Sequence, residues 1–160
     1  MTRKPTMYLD TSALWIFYAR ELGWELVEQA LTSGSYKCVT SAWTELELNR
    51  SLTRRVHKKE MTLEEGETLR LFFERDLKAR YADGTLKRAP ITDFIISTGK
   101  YYILNHNLYS ADAAHATTAI HHDCDFLVSD DYHFFREREN FLAKFGLFVI
   151  KVSTDSLPKD

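Results

Sequence analysis

Residues 110–135 read SADAAHATTAIHHDCDFLVSDDYHFF. The alanine-rich run from Asp112 to about His122 has helical composition. The apolar run Phe126-Leu127-Val128 is too short for a helix and suits a strand buried on both faces. Acids stand at both ends of the unit: Asp112 opens the helix, and Asp130 and Asp131 follow the strand. Helix, then buried strand, then acids is the grammar of an α/β protein whose loops carry its chemistry.

Working outward, the same alternation covers the chain. TMYL (Thr6 to Leu9) reads as a first strand ending at Asp10. Ser12 is placed to cap a helix through Trp15, Tyr18, Leu22, Leu26 and Leu31. YKCVT (Tyr36 to Thr40) reads as a second strand, and Ser41 as the cap of a helix carrying Glu45, Leu48, Leu52 and Val56. TLEE at Thr62 to Glu65 is a capping box. Pro90 and Ile91 mark a short strand or extended piece, and Thr92 or Asp93 caps a helix to Leu104. DFLVS and LFVIKV are the last strands, with an aromatic and charged helix between them. The expected fold is a single domain over residues 1–160, its mostly parallel sheet covered on both faces.

Composition sets the remaining bounds. The 160 residues are 44% hydrophobic and 28% charged, with a formal net charge of −2. Global charge therefore neither recruits nor repels nucleic acid, and a polyanion would need a local basic patch. Cys38 and Cys124 show no metal-binding or CxxC spacing and read as reduced thiols. Asp10 interrupts the apolar N-terminal run, and no stretch approaches the roughly 20 apolar residues of a membrane span. The expectation is a cytoplasmic protein with no membrane association.

On this map Asp10, Glu45, Asp112 and the Asp130-Asp131 pair all fall after strands or in the first turns of the helices that follow. Helix starts offer free N–H groups and a positive dipole end, worth about 0.3–1 kcal/mol per charge. Close carboxylates repel by about 4 kcal/mol per pair at an effective dielectric near 20. A cluster therefore calls for a proton or a divalent cation. Oxygen ligands without thiolates point to Mg²⁺ or Mn²⁺, and such an ion serves phosphodiester hydrolysis. For any one acid, helix capping is the simpler role.

Three blocks, YLDTSALW (Tyr8 to Trp15), VTSAWTELELNRSL (Val39 to Leu52) and ADAAHATTAIHHDCDFLVSDDYHF (Ala111 to Phe134), resemble in order the motifs of PIN-domain ribonucleases, and among these the single-domain VapC type of toxin. The resemblance implies an α/β/α sandwich and a Mg²⁺- or Mn²⁺-dependent endoribonuclease leaving a 3′-hydroxyl and a 5′-phosphate. It implies Asp10, Glu45, Asp112 and Asp131 as the catalytic acids, with Asp10, Asp112 and Asp131 on the metal. Thr11 or Ser12 would be the hydroxyl neighbour of Asp10, and Ser129 the hydroxyl orienting Asp131. Glu47 is expected to point elsewhere on its helix, and Asp130 to be a variable position. His133 stands where many relatives carry another acid. Homodimers and an antitoxin partner are common in the VapC branch. This chain is longer than a compact VapC toxin, with the extra residues assigned to the middle helices and RYADGTLKRAP.

Arg50, Arg54 and Lys58 share a helical face by fourfold spacing and form a candidate RNA-binding stripe, with a solvated charged face as the simpler reading. Arg80, Lys87 and Arg88 are a weaker second patch. His115 is expected to be a hydrogen-bonded histidine rather than a metal ligand, and the aromatic series Tyr101 to Phe148 to be mostly core. A non-catalytic PIN-like RNA- or protein-binding module is the competing function. A haloacid-dehalogenase phosphatase would need an acid two residues after Asp10, where Ser12 stands. GxGxxG and P-loop sequences are absent.

Overall fold

The computed structural model describes residues 3–158. Five strands, β1 (Thr6–Leu9), β2 (Lys37–Ser41), β3 (Leu86–Ala89), β4 (Phe126–Ser129) and β5 (Phe148–Lys151), form one sheet in the order β3-β2-β1-β4-β5. Every pairing is parallel. The expected mostly parallel sheet is thus wholly parallel among the described residues.

Side-chain alternation divides the core into two layers. In β1, Met7 and Leu9 point into one layer and Tyr8 into the other. The first layer is filled from α1 (Thr11–Ala19), α2 (Trp24–Thr32), α3 (Ala42–His57) and α4 (Leu63–Asp83). The second is filled from α5 (Asp93–His106), α6 (Ser110–His121) and α7 (Tyr132–Phe145). The three layers are the α/β/α sandwich expected from sequence. Tyr102, Phe134 and Phe141 are core as anticipated, whereas Tyr101 and Phe148 are exposed. No described helix is long and apolar enough to cross a membrane.

Two local expectations are corrected. The single helix read through Trp15 to Leu31 is two, broken by Arg20 in the left-handed region (φ 56°) and by Gly23 (φ 92°). A β-carbon on Gly23 would lie 2.2 Å from the Val152 carbonyl oxygen, so this turn admits only glycine. The third strand precedes Pro90 instead of containing it: its pairing to β2 runs from Leu86 to Ala89, and proline lacks the N–H that would extend the ladder. The capping box at Thr62 and Glu65 and the caps at Ser41 and Thr92 form as read.

The topology then fixes where a site can be. From β1 the chain steps outward through β2 to β3, then returns to the other side of β1 for β4 and β5. The reversal leaves a crevice beyond the carboxyl ends of β1 and β4, the place where parallel α/β sheets hold ligands.

Candidate metal centre

Asp10 leaves β1 and, in place of the expected Ser12, is the N-cap of α1. Its backbone N–H donates to the Val128 carbonyl (3.2 Å), tying it to the end of β4. One carboxylate oxygen accepts from Ala13 N–H and from the Ser12 hydroxyl, each at 2.8 Å. The other accepts from the Ser129 hydroxyl at 2.5 Å. Ser129 also accepts from the Asp131 N–H (2.9 Å), and Ser12 from the Asp130 N–H (2.7 Å). Two serines thus lace the start of α1 to the β4–α7 turn. Burial pushes the Asp10 carboxyl above its ordinary range, opposed by the nearby His115 and by its hydroxyl and amide donors.

Asp112 occupies the first turn of α6 and is 8% exposed. Burial first, and then the Asp131 charge, push its carboxyl up to about 6. Asp131 caps α7 by accepting from His133 N–H at 2.8 Å. Ligand atoms of Asp112, Asp131 and His133 all lie within 4.8 Å of one another. The Nδ1 of His133 is buried and finds no hydrogen-bond partner among the described residues. Two converging carboxylates, one already resisting ionisation, together with an uncommitted imidazole nitrogen, have the chemistry of a divalent-cation site. Asp10 faces the same cleft from outside this tight group. Asp130 borders the cleft but commits its carboxylate to Ser153, accepting from the hydroxyl at 2.6 Å and from the N–H at 3.2 Å.

The two glutamates of α3 are placed differently. Glu45 does not reach the cleft: its carboxylate grips Arg88 of β3 at 2.5 Å. Glu47 lines the cleft instead. It accepts from the Thr11 hydroxyl at 2.5 Å and pairs with His115 Nε2 at 2.6 Å, while Tyr8 holds His115 Nδ1 at 2.7 Å from behind. Burial alone would raise the Glu47 carboxyl, but the hydrogen bond and charge of His115 and the Thr11 hydroxyl outweigh it, and the net shift is downward. Thr11 therefore serves Glu47, and Ser12 is the hydroxyl neighbour of Asp10. His115 is the hydrogen-bonded histidine expected.

A helical wheel contains the signal that separates the two glutamates. At about 100° per residue, Glu47 lies roughly 60° from Arg50, and Glu45 roughly 140° from it. The stripe Arg50, Arg54 and Lys58 lines one wall of the cleft with Glu47, and all three side chains are exposed. Arg55 borders the same wall, paired with Glu21 at 2.9 Å and seated on the Trp15 ring. The cleft holds 650 Å³; Asp10 and Asp112 are buried in its lining, and the exposed cations share its outer part with Glu21 and Glu60.

Comparisons with known proteins agree with this architecture. A search of curated protein sequences returns no significant match. Among solved structures, the chain is similar to one in the crystal structure of VapBC2 from Rickettsia felis bound to a DNA fragment from their promoter. That likeness has a TM-score of 0.56 at 12% identity, over 91% of this chain and 98% of the other. The family model of the PIN domain matches residues 7–139, which run from β1 into α7 and include every acid of the cleft. A sheet order that brings Asp10, Asp112 and Asp131 to one crevice and a model match over most of the sequence lead to one conclusion: this chain belongs to the PIN domain family.

Proposed function

We propose that the protein is a metal-dependent endoribonuclease. The observation that carries this reading is the convergence of Asp112 and Asp131 in a cleft that Arg50, Arg54 and Lys58 also line. The carboxylates suit a Mg²⁺ or Mn²⁺ ion and the cations suit a phosphodiester chain. Asp112 and Asp131 would hold the ion, with Asp10 and Glu47 as the further catalytic acids facing it. Bound there, a divalent ion supplies charge stabilisation at phosphorus and a more acidic water. Asp10, secured by three donors, keeps its carboxylate facing the cleft. Glu47, its carboxyl held low by His115, remains an ionised acceptor for a water proton near neutral pH. The exposed arginines would align the chain across the cleft.

Membership in the PIN family and the likeness to a chain of the VapBC2 assembly also support a toxin partnered by an antitoxin and forming homodimers, as in the VapC branch. Exposed apolar side chains on α4 (Leu63, Leu71, Phe72) and α5 (Phe94, Tyr101, Leu104) offer surface for such partners.

The test is cleavage of varied RNAs with Mn²⁺ or Mg²⁺, with and without chelator, by wild type and Asp112→Asn. Metal-dependent cleavage that falls at least about a hundredfold in the variant is the expected result. Equal cleavage by both proteins would refute the site. Binding of RNA by both with cleavage by neither would favour the non-catalytic module.

A further inference from the structure

His133 occupies a position where this chain departs from the acid that many PIN domains carry, and its surroundings are not those of a surface histidine. It is the second residue of α7, so Asp131 and His133 project from the same helix start. Its ring meets the Tyr109 ring edge to face at 4.7 Å and an interplanar angle of 90°. Tyr109 is the N-cap of α6, three residues before Asp112. The Tyr132 ring lies 6.1 Å away. The imidazole is thus steadied between the helix starts that supply the two carboxylates, with Nδ1 buried and unpartnered among the described residues.

We propose that His133 is a direct nitrogen ligand of the metal and that it biases this site toward Mn²⁺ over Mg²⁺. The proposal rests on the metal-dependent reading above and adds the identity and chemistry of one ligand. Mg²⁺ dehydrates reluctantly and takes oxygen donors in near-ideal octahedral geometry. Imidazole suits transition ions such as Fe²⁺ and Zn²⁺ and is a poor donor to Mg²⁺. Mn²⁺ shares the Mg²⁺ taste for carboxylates and, as the first transition ion of the divalent series, also accepts nitrogen. Ligand atoms of Asp112, Asp131 and His133 within 4.8 Å of one another require only small closure onto a common ion. His115 does not compete for the role, since Tyr8 engages one of its nitrogens and Glu47 and Thr11 the other.

The experiment is electron spin-echo envelope modulation on the full chain loaded with Mn²⁺, with parallel titrations of Mn²⁺ and Mg²⁺ affinity. Wild type, His133→Asp and His133→Asn are compared, each checked for folding by circular dichroism. The expected result is a directly coordinated ¹⁴N coupling in the wild type, absent from both variants. In His133→Asp, the ratio of Mn²⁺ to Mg²⁺ affinity should also fall by about tenfold, the lower end of the effect of losing a metal-site partner. The wild-type spectrum decides the first point even if a variant does not fold. Mn²⁺ bound without nitrogen coupling, or with coupling that survives both variants, overturns the assignment of His133 and leaves the ribonuclease reading standing. Failure of the wild type to bind Mn²⁺ overturns both.

Discussion

The two ends of the sheet carry hollows of similar size and opposite character. The carboxyl-end cleft, at 650 Å³, gathers acids; the amino-end hollow, at 590 Å³, is lined by Arg3, Lys4, Lys37, Lys87 and His122. Helix direction accounts for much of this. In a parallel sheet the following helices start where strands end, so positive helix termini collect at one end and negative termini at the other. Asp10, Asp112 and Asp131 stand in the first turn or cap of a helix, and His121 and His122 close α6. Like charges are crowded at both ends. Burial and then Asp131 raise Asp112 to about 6, and burial and then Lys87 lower His122.

What differs is commitment. At the amino end Arg3 pairs with Asp125 at 2.7 Å, Lys4 donates to the Gly34 carbonyl at 2.6 Å, and Lys37 and Lys87 extend into water. At the carboxyl end Asp112 is buried against a like charge, and His133 Nδ1 finds no hydrogen-bond partner among the described residues. An electrostatically unfavourable arrangement that the fold holds together is the better marker of a working site.

The sharpest way to break this comparison lies on α3. Glu47→Gln should lower metal-dependent RNA cleavage by about tenfold to a hundredfold, while Glu45→Gln, which loses the partner of Arg88, should stay within about twofold. Initial rates for the pair check this, and the reverse order would reassign the second acid. A smaller effect is expected from the exposed cations. Arg50→Ala and Arg54→Ala should each weaken RNA binding several-fold and flatten the plot of log affinity against log salt by about 0.7, the value of one contact to single-stranded phosphate. Fluorescence anisotropy over a salt series reads both numbers.

A third prediction concerns the cost of the acidic cluster in metal-free protein. The Asp112 carboxyl titrates higher when folded than when unfolded, so the folded state binds the extra proton between about pH 4 and 6. The stability that this group contributes is therefore present at low pH and lost as pH rises through 6. Asp112→Asn should melt about 2–4 °C above wild type at pH 7, a shift worth on the order of 1 kcal/mol in a chain of this size, and the gain should shrink toward pH 4. Added Mn²⁺ should reverse the order by stabilising the wild type alone. The smallest effect belongs to the amino end: Lys37→Ala combined with Lys87→Ala should change cleavage by less than about twofold.

The amino-acid sequence by itself determined the layered α/β fold, because two-residue and helical periodicities, caps and turn residues act locally and agree along the chain. It also marked Asp10, Glu45, Asp112 and the Asp130-Asp131 pair as candidates, since an acid after a strand or at a helix start is visible from order alone. The division of α1 from α2 was less legible, because Gly23 is demanded by the backbone of Val152, far away in sequence. The choice between Glu45 and Glu47 needed the direction in which α3 faces, which follows from the apolar side that Leu48 and Leu52 bury. The contacts of Asp10 with Ser129, of Glu47 with His115 and of His133 with Tyr109 join residues far apart in the chain. Periodicity says which residues share a face; only the folded sheet, by crossing from β3 back to β4, decides which faces meet.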